Sequence, residues 1–316
     1  MSIRDRVVLL VGGVGGAKLA LGLAHVLPPE SLTIIVNTGD DMRHFGLHIS
    51  PDVDTLMYTL ADMVNPETGW GLAGESFQAM ASVARYDGPT WFNLGDRDLG
   101  THLERTRLLA EGCRLTEVTR RLCEANGVET RVLPMTDNRV RTLLHTDRGV
   151  LDFQTYFVRE RWQPVVNAIE FDGAAQAEPS SEVAAALEQA TLIVYGPSNP
   201  FLSIDPILAI PGIRQRIAAA RVPRIAVSPI IAGQAVKGPT AKLMREFGIE
   251  PTPEAVADHY EETLDGIILD GADRSFESSM TRRGLRVTTA ETYMTTLPQK
   301  VNLACTMLNW IEEDVT

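Results

Sequence analysis

The stretch VVLLVGGVGGAKLALGL (Val7–Leu23) sets Gly12, Gly13, Gly15 and Gly16 at the end of an apolar run, just ahead of Lys18. Glycines there let backbone N–H groups approach an anion, and the helix start behind them favours negative charge. Lys18 adds a point charge. Neither common nucleotide fingerprint is met. A P-loop needs Ser or Thr after its lysine, where Leu19 stands, and a dinucleotide loop needs a third glycine, where Lys18 stands. The residues allow a phosphate or diphosphate site or a ligand-free strand-to-helix turn, and we take the first.

Acidic residues follow closely. Asp40 and Asp41 close the segment LTIIVNTGDD, and Asp52 and Asp54 open SPDVDTLMYTL. Magnesium takes one or two carboxylates together with phosphate oxygens and water. Set beside a glycine turn, the four read as a metal–phosphate site; Asp52 and Asp54, two apart on a helix, point differently, so one is placed to ligate and the other to cap. The plainer alternatives are compensation of a helix dipole by Asp52 and Asp54 and a solvated turn at Asp40–Asp41.

Other turns carry candidate binding groups. In LGDRDLGTHL, Asp98 is placed to cap a helix. Arg97, between Asp96 and Asp98, is placed either to clamp a carboxylate or phosphate or to form a local ion pair. GPSNP offers Ser198 and Asn199 and SPIIAG offers Ser228, as ligand contacts or as turn residues. His44, His48 and His102 lack zinc spacing and read as surface or satisfied groups.

These residues need a scaffold to bring them together. Val7–Val11 reads as a buried strand, Ala17–Val26 as a helix and Leu32–Val36 as a second strand, a βαβ start that implies a parallel sheet. Ser50, Pro51, Asp52 and Asp54 form a helix start signal. From 69 to 127 helical periodicity replaces strand signals, which predicts a smaller helical subdomain inserted into a core made of 1–68 and 128–316. Further strands are expected at TRVLPM, RTLLHT, GVLDFQ, ATLIVY, PRIAV, DGIILD and LRVTTA, with a closing helix at LPQKVNLACTMLNWIEE. GAAQAEPSSE reads as an exposed loop. The expected fold is α/β: a Rossmann-like, mostly parallel sheet flanked by helices. Its strand ends are expected to place the turns Gly12–Gly16, Asn37–Asp41, Gly95–Asp98, Gly196–Asn199 and Ser228–Gly233 around one cleft.

Composition narrows the function. The chain has 316 residues, 44% hydrophobic, with a net charge of -12 and a pI near 5.0. An acidic surface argues against non-specific nucleic-acid or anionic-membrane binding and leaves a local nucleotide site open. Cys113, Cys123 and Cys305 have no CxxC spacing and read as thiols in a reducing compartment. No apolar stretch reaches the ~20 residues of a membrane span. Arg4, Arg6 and the apolar run after them fit a first strand better than a secretory signal, so a cytoplasmic location is expected.

Taken in order, GGVGGAK, VNTGDD, SPDVDTLMYTL, LGDRDLGTHL, PSNPFLSIDPIL and SPIIAGQAVKGP resemble the 2-phospho-L-lactate transferase family of coenzyme F-420 biosynthesis, above all its bacterial phosphoenolpyruvate transferases. The resemblance spans essentially the whole chain. It implies a Rossmann-like core with a smaller helical part. It also implies magnesium-dependent transfer of a phosphoenolpyruvyl or phospholactyl group from a guanosine diphosphate conjugate to the deazaflavin Fo, with release of GMP. Asp40 and Asp54, the candidate catalytic residues, would stand at the magnesium and Fo-contact positions, with Asp54 orienting the ribityl hydroxyl or accepting its proton, and the glycine turn would take the nucleotide, GDP or GMP. Asn93 occupies a place where some archaeal relatives have lysine. A homodimer is a further expectation from the family. Two rivals differ in class. One is a non-catalytic, nucleotide-sugar-binding regulator of the related gluconeogenesis-factor group; LGDRD, PSNP and the Asp-x-Asp of PDVDT, as a set, favour the transferase. The other is a nicotinamide-dependent dehydrogenase, disfavoured by the missing third glycine and by Asn37 at the end of the second strand.

Overall fold

A computed structural model describes residues 2–315. Seven strands form one wholly parallel sheet: β1 (Val7–Val11), β2 (Leu32–Val36), β3 (Arg131–Pro134), β4 (Leu192–Tyr195), β5 (Arg224–Val227), β6 (Gly266–Asp270) and β7 (Arg286–Ala290). Their spatial order is β7-β6-β5-β4-β1-β2-β3. This is the doubly wound order, in which the chain reverses its direction of winding between β1 and β4 and opens a crevice at their carboxyl ends. Val7 lies opposite Leu32 on one side and Leu192 on the other.

The inner strands are mostly apolar because both faces are covered, whereas the edge strand β7, RVTTA, is half-buried throughout. Val7, Leu9 and Val11 face one core, shared with Leu19 and Leu23 of helix α1 (Gly13–Val26) and with Leu303 and Met307 of the closing helix, Leu297–Val315. Val8 and Leu10 face the other core, with Val183, Ile213 and Ile217. The segment 69–127 holds helices α3 (Gln78–Arg85), α4 (Asp96–Ala110) and α5 (Leu115–Ala125), which follow α2 (Pro51–Leu60). Leu108 of α4 and Val118 and Leu122 of α5 bury in the same core as β1 and β2. A separate three-stranded antiparallel sheet, ordered Gly149–Asp152, Arg141–Thr146, Val166–Asp172, stands beside the crevice.

Three local expectations need correction. First, the glycines are not a loop before a helix: α1 begins at Gly13, so Gly13, Gly15 and Gly16 are its first turn. Gly13 has φ +65°, where a β-carbon is strained. Second, Ser50 occupies the cap position of α2, but its hydroxyl donates to Asp41 Oδ2 at 2.7 Å instead of capping. Third, GAAQAEPSSE is no free loop: Ala174 and Ala177 are buried, and Ser180 caps the helix Ser181–Gln189 by accepting from the Val183 N–H.

Candidate active site

The crevice is built on the turn that joins β1 to α1. Gly12 is extended and is tied to the turn after β4: its N–H donates to Ser198 Oγ at 3.2 Å, and that hydroxyl donates to the Gly12 carbonyl at 2.8 Å. A β-carbon at Gly15 would lie 2.3 Å from the Pro197 carbonyl oxygen, and one at Gly16 would lie 2.6 Å from Ser198 Oγ. These two glycines therefore let two strand ends close on each other. Gly13 alone of the first turn faces open space. Asn199 caps the next turn, accepting from Phe201 and Leu202 N–H groups at 3.0 and 3.2 Å. Ser228 folds its own turn through Ile230.

Acidic groups line the opposite wall. Asn37, fully buried at the end of β2, donates to Asp52 Oδ2 at 3.0 Å, and its own side-chain oxygen accepts from the Gly39 N–H at 2.8 Å. Asp52 lies on the glycine turn itself: a β-carbon at Gly12 would come within 2.6 Å of Asp52 Oδ2. Asp40 is 4% exposed. Burial, then the charge of Asp52, pushes its carboxyl well above the usual carboxylate range. Burial also carries Asp52 up to about 6. Thr38 Oγ1, Asp40 Oδ1, Asp41 Oδ1 and Thr142 Oγ1 have no partner among the described residues. Buried polar atoms are nearly always hydrogen-bonded, so these oxygens have capacity left for water or a ligand, while Asn37 and Thr142 still lower the Asp40 pKa against its burial.

Asp54 sits in a different setting. Its carboxylate is held by the fully buried Arg105 of α4, with Nη1 3.0 Å from Oδ2 and Nη2 on Oδ1. His102, 1% exposed, lies beside this pair, its Nδ1 3.7 Å from Asp54 Oδ2 and its Nε2 3.2 Å from Asp98 Oδ2. Tyr58, one turn after Asp54, donates to Asp98 Oδ1 at 2.6 Å. Burial raises the Asp54 carboxyl, and the charges of Arg105 and His102 oppose the rise. For Asp98 burial also acts upward, but hydrogen bonding and charge from His102, with help from Tyr58 and Arg105, leave it below its ordinary value. Asp54, Asp98 and His102 have the spacing of a metal triad. Both Asp54 oxygens nevertheless face Arg105, so the geometry is that of an ion-pair network. Asp41 adjoins it, accepting from His48 Nε2 at 2.9 Å.

The remaining expected groups have structural partners. Asp96 caps α3 through the Gln78 and Ala79 N–H groups at 2.9 and 3.0 Å. Arg97 is exposed and donates to the Ala73 carbonyl at 2.9 Å instead of clamping an acid. Asp98 does not cap α4, and the turn Gly95–Asp98 ends no strand, since α4 is the next element after α3. Helix α4 starts at Asp96, and Glu75 supplies the cap by accepting from the Arg97 and Asp98 N–H groups at 2.8 and 3.1 Å. Asn93 is exposed on the turn before α4. Lys18 is part-buried on α1, and burial, then the charges of Lys300 and Lys237, lower its pKa.

Several important residues escape a reading by motif. Arg105 and His102 belong with Asp98 by helical spacing, at i, i+4 and i+7, which is the signal that finds them. Asp273, 2% exposed, holds the SPIIAG turn by accepting from the Ala232 N–H at 3.0 and 3.2 Å. Ala232 itself has φ +49°.

The chain is similar to proteins already described. A family model described as 2-phospho-L-lactate transferase CofD matches residues 7–300. A phosphoenolpyruvate transferase of Streptomyces coelicolor is 41% identical over 314 residues, covering 98% of each chain. A 2-phospho-L-lactate transferase of Methanosarcina acetivorans is 37% identical over 297 residues, covering 94% of this chain and 96% of that one. The crystal structure of a member of the UPF0052 family from Bacillus halodurans superposes with a TM-score of 0.66 at 18% identity, covering 96% of this chain and 99% of that one. The last match speaks for the fold alone.

Proposed function

Because the chain belongs to the 2-phospho-L-lactate transferase CofD family, we propose that it moves a phosphoenolpyruvyl or phospholactyl group from a guanosine diphosphate conjugate to the terminal ribityl hydroxyl of Fo, releasing GMP. The observation that carries this reading into the cleft is the Asp40–Asp52 pair: two acids whose charges oppose each other, Asp52 lying against Gly12 and Asp40 buried at the end of β2.

Such a pair favours a hard divalent cation. The nearby donors are all oxygen, the set magnesium prefers, and no basic side chain among the described residues forms an ion pair with Asp40 or Asp52. Asp40 and Asp52 would hold the ion, with Asp41 beside them. Bound there, magnesium would neutralise diphosphate charge and favour departure of GMP.

The chain's own groups do the rest by position. The Gly13 N–H is taken by the Asp52 carboxylate, so α1 offers a phosphate its later first-turn N–H groups and the positive end of the helix dipole. Asp54 cannot swing, because Arg105 fixes both of its oxygens. A carboxylate oxygen has a second lone pair, so Asp54 can still accept a hydrogen bond from the ribityl hydroxyl and orient it toward phosphorus. Phosphoryl transfer asks the protein for this kind of placement and charge compensation more than for covalent chemistry. Incubation with Fo, magnesium and each guanylylated donor, with product masses read out, tests the proposal. A folded protein that binds GDP but forms no Fo adduct from any donor would overturn it.

A further inference from the structure

The three-stranded antiparallel sheet, with the turn between its strands, carries none of the motifs that mark the crevice, yet it reaches the acidic turn after β2 twice. The Thr142 N–H donates to the Gly39 carbonyl at 2.7 Å, and Gln154 Nε2 donates to the Asp40 carbonyl at 3.2 Å. A peptide group is planar, so an α-carbon has only two soft dihedrals, one toward each flanking plane. The Gly39 carbonyl lies in the plane before the Asp40 α-carbon, and the Asp40 carbonyl lies in the plane after it. Holding both planes fixes the direction in which the Asp40 side chain leaves the backbone.

Both donors are themselves buried and held. Thr142 is 1% exposed and Gln154 is 4% exposed. Gly39 is what admits Thr142: a β-carbon there would lie 2.7 Å from Thr142 Oγ1 and 3.1 Å from Pro206 Cβ. Burial raises the Asp40 carboxyl and Thr142 opposes the rise, which places its hydroxyl beside that group. Gln154 precedes a π-helical turn, Thr155–Arg159, a form that recurs at functional sites. Asp152 anchors this turn by accepting from the Thr155 N–H and hydroxyl at 3.0 and 2.7 Å. The Phe153 and Phe157 rings stack across it at 5.3 Å. The Gln154 amide is thereby kept on the Asp40 carbonyl.

We infer that Thr142 and Gln154 are positioning residues for Asp40: from a sheet outside the parallel core they fix both of its flanking peptide planes and aim its carboxylate into the crevice. The inference rests on the reading of Asp40 as a magnesium-holding group and names what gives that group its direction. Neither residue is catalytic, since each acts through Asp40. Removing a group that orients a metal-holding side chain costs about 10–100-fold in metal affinity or activity.

Calorimetric titration of the intact protein with magnesium, GDP being present, tests this beside thermal melts in metal-free buffer. Thr142→Val keeps the shape and the backbone N–H but loses the hydroxyl, and Thr142→Ser keeps the hydroxyl. Gln154→Met keeps the length and loses the donor. Thr142→Val and Gln154→Met should each weaken magnesium about tenfold, and Thr142→Ser should stay close to wild type. Without metal, Thr142→Val should melt with wild type and Gln154→Met only a few degrees below it. A link that merely ties the sheet to the core predicts the reverse, lower melting temperatures with wild-type magnesium affinity, and that result would overturn the inference. A wild type that takes up no magnesium would overturn it too. Fo turnover is assayed separately. Weakened magnesium in Thr142→Val and Gln154→Met with no Fo product from any of the proteins would sustain the positioning and sink the transferase reading. Fo product with one magnesium affinity throughout would do the opposite.

Discussion

Arg105 grips both carboxylate oxygens of Asp54 from a position with no solvent exposure at all. The pair joins α2 to α4, the two helices that carry the acidic Asp-x-Asp and Leu-Gly-Asp-Arg-Asp motifs. Breaking it from one side strands a buried charge. Arg105→Leu should cost about 3–5 kcal/mol of stability, whereas Arg105→Leu combined with Asp54→Leu should cost less than the single variant. Chemical denaturation of the two variants beside wild type checks this; equal losses would mean that the pair is not an energetic unit.

The Asp40–Asp52 pair carries the opposite sign. Both carboxyls titrate higher in the folded protein than in the unfolded chain, Asp52 at about 6. The folded state then binds more protons than the unfolded state between about pH 4 and pH 6, so the pair's contribution to stability falls as pH rises through that window. Asp52→Asn should therefore raise stability at pH 7 by on the order of 1–2 kcal/mol, allowing for partial solvent access, and leave it nearly unchanged at pH 4. Magnesium should stabilise wild type more at pH 7 than at pH 5, and should have little such effect on Asp40→Asn. Thermal melts across pH with and without magnesium read all of these shifts.

Asp98 follows the usual carboxylate rule. Its pKa is depressed by His102 and Tyr58 against its own burial, so the stability it gives is present above the unfolded value and is lost as pH falls through the folded one. Asp98→Asn should flatten the acid limb of the stability profile. An acid limb identical to wild type would show that His102 and Tyr58 do not support Asp98 in solution.

Asp96 separates a structural role from a ligand role. Its two oxygens cap α3, so Asp96→Ala should lower stability by about 1 kcal/mol while GDP affinity stays at the wild-type level. A large loss of GDP binding with unaltered stability would return Asp96 to the ligand set.

The glycines of the first turn should also divide. Gly15→Ala forces a β-carbon against the Pro197 carbonyl and should push the turn after β4 away, reducing both stability and nucleotide binding. Gly13→Ala meets no neighbour and pays only for its left-handed backbone, about 1–2 kcal/mol. Melting temperatures and GDP titrations of the two variants distinguish packing from strain.

Much of this architecture is legible in the residues. The inner parallel strands announce themselves as short apolar runs because both of their faces are buried, and the turns after them carry the glycines, aspartates and serines that crowd the crevice. Val166–Asp172 escapes notice because it lies in a small sheet with most of its residues facing outward, so no apolar run marks it. Arg105 escapes for a different reason. A lone arginine in a charged helix has the look of a solvated residue, and only the tertiary approach of Asp54 reveals it as the most deeply buried charge of the site. Asp96 and Ser198 are conspicuous in sequence, yet their side chains serve a cap and a strand link; type and spacing cannot separate those duties from ligand contact.

The most direct measurement is the stoichiometry of one turnover. Excess enzyme is mixed with Fo, magnesium and a guanylylated phosphoenolpyruvyl or phospholactyl donor, and GMP release is followed beside Fo consumption for wild type and for Asp40→Asn. The expected result is one GMP released per Fo converted to its phospho-acid adduct, with Asp40→Asn still binding GDP but slowed by at least about a hundredfold, the scale of a lost electrostatic contact in the transition state. GMP released without any Fo adduct, or wild-type turnover in Asp40→Asn, would contradict the account.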